Sequence, residues 1–298
     1  MSNELATRQS AAPGPAARPA SATAPAGPLD VPAALPGLWV ATAARAKVEL
    51  LSVVRNVQAL VFTMLLPVLL LTVLGSIFSG SVPGTTTPFR QVFIAGVIAA
   101  GVMSVAFSGL AINLAIERDA GLVGRLAATP MVRAAYFAGK VVKVVVTALL
   151  ETVVLIAVAA LLFRLPLGLS AERWLTLAWV LLLGSAACAL LAIAYSWLVP
   201  NGRTAAAVVT PPFLVLQFIS GVFFPYNELP AWMRTLAAFF PLKWMAQGMR
   251  SVFLPDSFTV VEPAGGWEHG RIALVLGLWC VAGLALSMLT FRWRDQPR

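Results

Sequence analysis

Long apolar runs alternate with short polar breaks along the chain, and the runs set the expected architecture. Six are uncharged or nearly so and long enough to cross a hydrocarbon layer, which takes about 20 helical residues. They cover roughly Val57–Ser79, Val92–Ile116, Val141–Phe163, Trp174–Val199, Ala206–Phe224 and Ile272–Phe291. Pro67, Pro211 and Pro212 fall inside or near the start of these runs, where a missing amide hydrogen should kink or break a helix. Ahead of the first run, Trp39, Ala43, Ala46, Leu50 and Val54 recur at helical spacing, with Arg45, Lys47, Glu49 and Arg55 forming a polar face. That spacing predicts an amphipathic helix on the membrane surface, or a helical extension of the first span. Between the fifth and sixth runs, Leu229–Phe240 and Leu242–Phe253 are apolar, rich in Trp, Phe and Met, and too short to cross. Interfacial or re-entrant helices are expected there.

The expected fold class is all-α: a polytopic membrane protein with six transmembrane helices, an N-terminal amphipathic interface helix, and short re-entrant or interfacial helices between spans five and six. Residues 1–37 hold seven prolines and eleven alanines, with Ser, Thr and Gly filling much of the rest. Such a stretch buries too little apolar surface to offset its ordering entropy, so a disordered cytoplasmic tail is expected ahead of a membrane domain over 38–298. Arg18, Asp30 and the prolines interrupt any apolar core of a signal peptide.

Composition supports the pattern. Hydrophobic residues make up 59% of the 298 and charged residues 11%, which rules out a single water-soluble core. Cys188 and Cys280 both lie in apolar runs, so neither a disulfide framework nor a thiolate metal site is implied. His269 is the only histidine, standing beside Glu268 in an expected loop, and it is assigned no metal or general-base role.

The formal charge of +9 invites a nucleic-acid reading until the charges are placed. With the N-terminus in the cytoplasm, fourteen of the 21 Lys and Arg fall on the cytoplasmic side. The excess predicts that both termini are cytoplasmic, consistent with an even number of spans. The basicity is then topological, and no nucleic-acid partner is expected. Trp174, Trp179, Tyr195 and Trp197 near span ends fit interfacial anchors. Phe223, Phe224, Tyr226, Trp232 and Trp244 fit either anchoring or guidance of a lipophilic substrate at the outer exit.

The connection after the second span stands out, because about 24 residues are spent where a turn needs only a few. It reads Glu117-Arg118-Asp119-Ala120-Gly121-Leu122-Val123-Gly124-Arg125-Leu126-Ala127-Ala128-Thr129-Pro130 and continues to Gly139-Lys140. Leu122 and Leu126 at i,i+4 between charged ends suggest a short amphipathic helix stopped near Thr129-Pro130. Its apolar side could dock on another protein; by periodicity alone a solvated loop fits as well.

Buried polar groups are few. Glu151 lies about eleven residues past Lys140, or roughly 16 Å along a helix, near mid-membrane. A lone carboxylate there is costly, so Glu151 is either on a substrate path or neutralised by Thr147 or a neighbouring helix. Gln217 and Asn113 pose the same question for spans five and two.

The run Glu117-Arg118-Asp119-x-Gly121-Leu-x-x-Arg125-Leu126-x-x-Thr129-Pro130, followed by Gly139-Lys140, resembles the segment after the second span in type-2 ABC exporter permeases, with the daunorubicin-resistance branch nearest. Ser220-Gly221-Val222-Phe223-Phe224-Pro225, then Leu229-Pro230 and Pro241-Leu242, is similar to the family's extracytoplasmic stretch after span five. A surface helix ending Arg55-Asn56 before span one is a third likeness, and together these cover most of residues 40–292. The chain departs from the pattern at Asp119, where Glu is frequent, and at Val123-Gly124, where a pair such as Leu-Glu is common. Gly124 lowers helix propensity, which would make that helix shorter or less rigid.

The resemblance implies a transmembrane subunit that moves a drug-, antibiotic- or lipid-like substrate out of the cell, paired with a second permease copy and two separate ATPase subunits. Glu117, Arg118, Asp119, Gly121, Leu122, Arg125, Leu126, Thr129 and Pro130 would couple to the ATPase. Glu151, Gln217 and Asn113 are candidates for the translocation path. No cofactor is expected on this chain, with ATP and Mg on the partner. Gly139-Lys140 fails as a phosphate-binding loop, because Ala134 stands at the required glycine and Val141 at the required hydroxyl. A different class stays open: a proton-coupled secondary transporter using Glu151, disfavoured by the lack of evident inverted repeats. A non-transporting membrane scaffold is a third.

Overall fold

The computed structural model describes residues 37–78, 80–129 and 132–290. The expected tail over 1–37, except Gly37, lies outside them, as do Pro130 and residues 291–298. The expectation of a disordered tail therefore falls outside the described residues.

The described residues form helices throughout, with one isolated antiparallel bridge between Ser81 and Pro88. Helix α1 covers Leu38–Arg55 and α2 covers Val57–Ile77, with Asn56 between them. The Asn56 side chain accepts from the Ala59 amide, capping α2 where the apolar run begins. The second span is continuous from Phe89 to Asp119, as α3 (Phe89–Met103), a π-helical turn (Ser104–Gly109) and α4 (Leu110–Asp119). A short α5 (Leu122–Ala127) leads to α6 (Arg133–Phe163) and α7 (Ala171–Tyr195). Then come α8 (Ala205–Ile219), α9 (Ala231–Phe239), α10 (Pro241–Phe253) and α11 (His269–Thr290).

Among the described residues, five helical segments are long and apolar enough to cross a membrane: Val57–Ile77, Phe89–Asp119, Arg133–Phe163, Ala171–Leu198 and His269–Thr290. Burial ranks them, since 83% of the apolar window of Phe89–Asp119 is enclosed by protein against 22% for α2 and α11. The second span is thus the central post, and α2 and α11 present most of their apolar surface outward.

The fifth expected run behaves differently. Helix α8 has 15 residues, roughly 22 Å of helix, which is short of a hydrocarbon layer about 30 Å thick. The chain leaves it at Ser220 and reverses at Gly221, whose φ of 75° is left-handed. Helix α8 continues through Pro211 and Pro212 rather than breaking. The Val208 carbonyl, which would have accepted from residue 212, accepts instead from the Tyr195 hydroxyl at 3.2 Å. Tyr195 is thereby turned into the protein instead of serving as a free interfacial anchor, and Trp179 packs edge-on to His269.

The two short helices that follow are unlike each other. Helix α9 exposes Trp232, Leu236 and Phe239, as an interfacial helix would. Every residue of α10 is buried, against α3, α7 and α11. Its polar residues Lys243, Gln247 and Arg250, spaced i, i+4 and i+7, are therefore enclosed. Arg250 pairs with Glu262, Nε to Oε1 at 2.6 Å, and Nη1 reaches the Gly221 carbonyl at 3.4 Å. Lys243 donates to Gln247 Oε1 at 2.7 Å, with its Nζ 3.4 Å from the centre of the Trp244 ring. The expected aromatic cluster divides here: Tyr226 and Trp244 are buried, whereas Phe224 and Trp232 are exposed.

Candidate functional site

At one end of the bundle, the α4–α6 connection meets α1 in a cluster of charges. Lys140 of α6 is almost wholly enclosed, with its Nζ 2.8 Å from Glu49 Oε1 and 2.5 Å from Glu117 Oε1. Glu49 also pairs with Arg45 one turn earlier and with Lys143 Nζ at 3.3 Å. The Tyr136 hydroxyl donates to Glu117 Oε2 at 3.2 Å, and the Arg45 guanidinium lies over the Tyr136 ring. Gly139 makes the approach possible, since a Cβ there would meet Arg45 Cγ at 2.6 Å. Burial pushes the Glu49 carboxyl up, but Lys140, Arg45 and Lys143 outweigh it and hold the group below its ordinary value.

The polar face of α1 was expected from the sequence without a partner. Arg45 and Glu49 instead turn onto α6, because Lys140 and Lys143 present the matching charges. Trp39, Val40, Val48, Leu51 and Val54 are left exposed on the far side.

The other charges entering the connection also face inward. Arg118 donates through Nη1 to the Ser196 carbonyl at 3.1 Å and through Nη2 to the Val199 carbonyl, where α7 ends. Asp119 Oδ2 accepts from the Gly202 amide at 2.5 Å, holding the α7–α8 loop. Gly121, at φ 71°, then reverses the chain into α5.

On α5, Val123 is buried and Leu126 packs half-buried against the core, whereas Leu122, Gly124 and Arg125 are exposed. The i,i+4 pair Leu122 and Leu126 therefore does not form one outward apolar face. Thr129 is exposed and closes the turn by donating to the Leu126 carbonyl at 2.6 Å. The result is a short knob presenting Leu122 and Arg125, fastened beneath by Glu117, Arg118 and Asp119.

Glu151 is fully buried in α6, with neither carboxyl oxygen hydrogen-bonded. Thr147, its expected neutralising partner, donates to the Lys143 carbonyl instead. Gly101 of α3 faces it, and a Cβ there would meet Glu151 Oε1 at 2.9 Å. Gly101 also lines a cavity of about 280 Å³ between α2, α3 and α8, whose apolar wall is interrupted by Gln217 and Ser104. Glu151 thus sits behind one wall of that cavity, against Gly101, which lies one turn before the π-helical segment, a kind of irregularity often found at functional sites.

Asn113 is elsewhere. Its Nδ2 donates to the Gly109 carbonyl at 2.8 Å, and it lines a second cavity of about 390 Å³ beside the charge cluster. The three polar candidates for a path therefore fall in two places. Glu49, Tyr136 and Lys143 were not singled out as site residues from sequence; the signal available was Glu49 and Arg45 one turn apart on a helix next to a basic segment.

Five helical segments long and apolar enough to cross a membrane, among the described residues, fit a polytopic membrane protein. The profile of the ABC-2 type transporter family matches residues 41–254, most of the chain. The protein belongs to that family and is a type-2 ABC permease, a multi-pass transport subunit whose relatives work with ABC ATPase subunits. None of the curated proteins matches it.

Proposed function

We propose that the chain is the membrane half of an ATP-driven exporter of the daunorubicin-resistance type. Two copies, or one copy and a similar permease, assemble with two ATPase subunits. The substrate is a lipophilic drug-, antibiotic- or lipid-like molecule, moved outward. Both termini lie in the cytoplasm, and α8 with the returning α9 and α10 supplies the sixth crossing.

The mounting of α5 carries the reading. Three consecutive charges, Glu117, Arg118 and Asp119, are tied to α6, to the end of α7 and to the α7–α8 loop. A push on Leu122 or Arg125 is therefore delivered to α6, the end of α7 and the α7–α8 loop together, as a coupling element requires. The cavity with Gln217 and, behind it, Glu151 is the best-placed element of a path, since it opens between the outward-facing α2 and α8. Disulfide trapping tests the docking. Leu122→Cys should cross-link to a cysteine on the ATPase subunit in the intact complex, and Val123→Cys, which is buried, should not.

The unpaired Glu151 favours a second reading, proton-coupled transport by this chain without an ATPase. Transport in vesicles driven by a pH gradient alone would support it.

A further inference from the structure

We propose that the cavity of about 390 Å³ between α1, α2, α4 and α6 holds the phosphate head of an anionic phospholipid from the surrounding leaflet. The inference depends on the chain's place in a membrane and not on the route its substrate takes.

Charge comes first. Arg45, Lys140 and Lys143 surround Glu49 and Glu117, three cations for two carboxylates. Lys140 is held tightly between both acids and is almost fully enclosed. Lys143 is the remaining cation on the cavity wall: its side chain is 28% exposed, and its carboxylate, 3.3 Å away, is already shared with two other cations. Glu49, Glu117, Lys140 and Lys143 line the cavity, Arg45 adds the cluster's third cation behind them, and Lys143 is the lining cation with a partly exposed side chain. Both acids on this wall are paired with lysines, which offsets their repulsion of an anion.

A second, independent feature points the same way. Asn56 and Ala59 line the cavity, so the first turn of the 21-residue α2 opens into it with its positive dipole end. The Asn56 side chain spends its oxygen on the Ala59 amide, which leaves its amide hydrogens for a ligand. Lysine ammonium, amide donors and a helix N-terminus converging on one cavity is the donor set of a phosphate.

The rest of the cavity fits a lipid rather than a free ion. Its walls include the apolar Val53, Leu60, Val105 and Val144. Its volume suits a small ligand's polar end, and two acyl chains have to leave by the open side. There Val57 and Val61 of α2 are exposed, ready to lie along lipid tails. The apolar run of α2 starts at Val57, so the cavity sits where the hydrocarbon begins and phospholipid heads lie. Basic pockets between membrane helices are recognised sites for anionic heads.

The test uses the full chain, purified in mild detergent and exchanged into nanodiscs of equal phosphatidylglycerol and phosphatidylcholine. Retained lipid is counted by native mass spectrometry. Phosphatidylglycerol should be retained over phosphatidylcholine by at least about fivefold, the effect of one lysine near a membrane surface. Lys143→Gln should bring the ratio near unity, Lys143→Arg should keep it, and Lys47→Gln, an exposed change elsewhere on α1, should leave it untouched. Should Lys143→Gln fail to fold, Asn56→Asp decides: aspartate caps α2 equally well but puts a negative charge at the site, so the preference should disappear. Equal retention of both lipids by the wild type, or an unchanged preference in either cavity variant, overturns the proposal. Displacement of the lipid by soluble glycerol phosphate at matched concentration would make this a free-anion site, and a retained amphiphile without phosphate would make it a substrate site; both outcomes reject the lipid.

Discussion

The Lys140 ammonium lies 2.8 Å from the Glu49 carboxylate, joining α1 to α6 across a contact that a side chain at Gly139 would block. The same ammonium reaches Glu117, so the helix before the first span is linked through one buried cation to the foot of the second. Replacing Glu49 by Gln removes the anion from among three cations. Breaking a buried pair this way typically costs about 3–5 kcal/mol. The partly exposed Arg45 and Lys143 place this site at the lower end, and thermal unfolding in detergent should show a clear drop.

Acid should act on the same link. The Glu49 carboxyl is held below its ordinary value of 4.5, so its stabilising effect is present above that pH and is lost as pH falls through the lower, folded-state value. Stability measured downward from pH 5 should decline in the wild type and decline less in Glu49→Gln, which has already lost the group.

Arg118 makes a separable prediction. Its guanidinium serves two carbonyls at the end of α7. Arg118→Ala leaves both without that donor, at a cost of about 1–3 kcal/mol. Arg118→Lys should recover only part, since one ammonium does not reproduce the two-pronged geometry.

Glu151→Gln distinguishes the two transport readings. The amide keeps the shape beside Gly101 and removes the ionisable group. ATP-driven export should survive the change, whereas a proton-coupled mechanism would lose its pH-gradient-driven transport.

Much of this architecture was legible in the apolar runs. Length and lack of charge are local properties, and they located α2, the second span, α7 and α11 within a few residues, whereas α6 begins at Arg133, eight residues before its expected run. The fifth helix ends earlier than its apolar run, because Ala206–Phe224 is apolar throughout while the backbone turns at Gly221, a conformational event that hydropathy does not register. The inward face of α1 was hidden for another reason. Glu49 looks like a solvated residue until Lys140, far along the chain, is placed against it. The polar stripe of α10 is the same case, since Lys243, Gln247 and Arg250 make sense only with Glu262 and the Trp244 ring alongside. At the candidate site, residue identities were readable and orientations were not. The segment from Glu117 to Thr129 was marked by its charges, yet three of those charges hold the fold together, and Leu122 and Arg125 are left on the outer side of α5.

The central claim is that energy enters through α5 from a separate ATPase, and its most direct measurement is substrate flux in proteoliposomes. The chain reconstituted with its ATPase subunits should move substrate only when ATP is supplied, and the chain alone should neither hydrolyse ATP nor transport. Arg125→Glu should keep the protein folded and inserted while lowering ATP-driven flux at least about tenfold, the effect of losing roughly 1.4 kcal/mol of coupling. Flux by the chain alone under a pH gradient, or full ATP-driven flux in Arg125→Glu, would contradict the account.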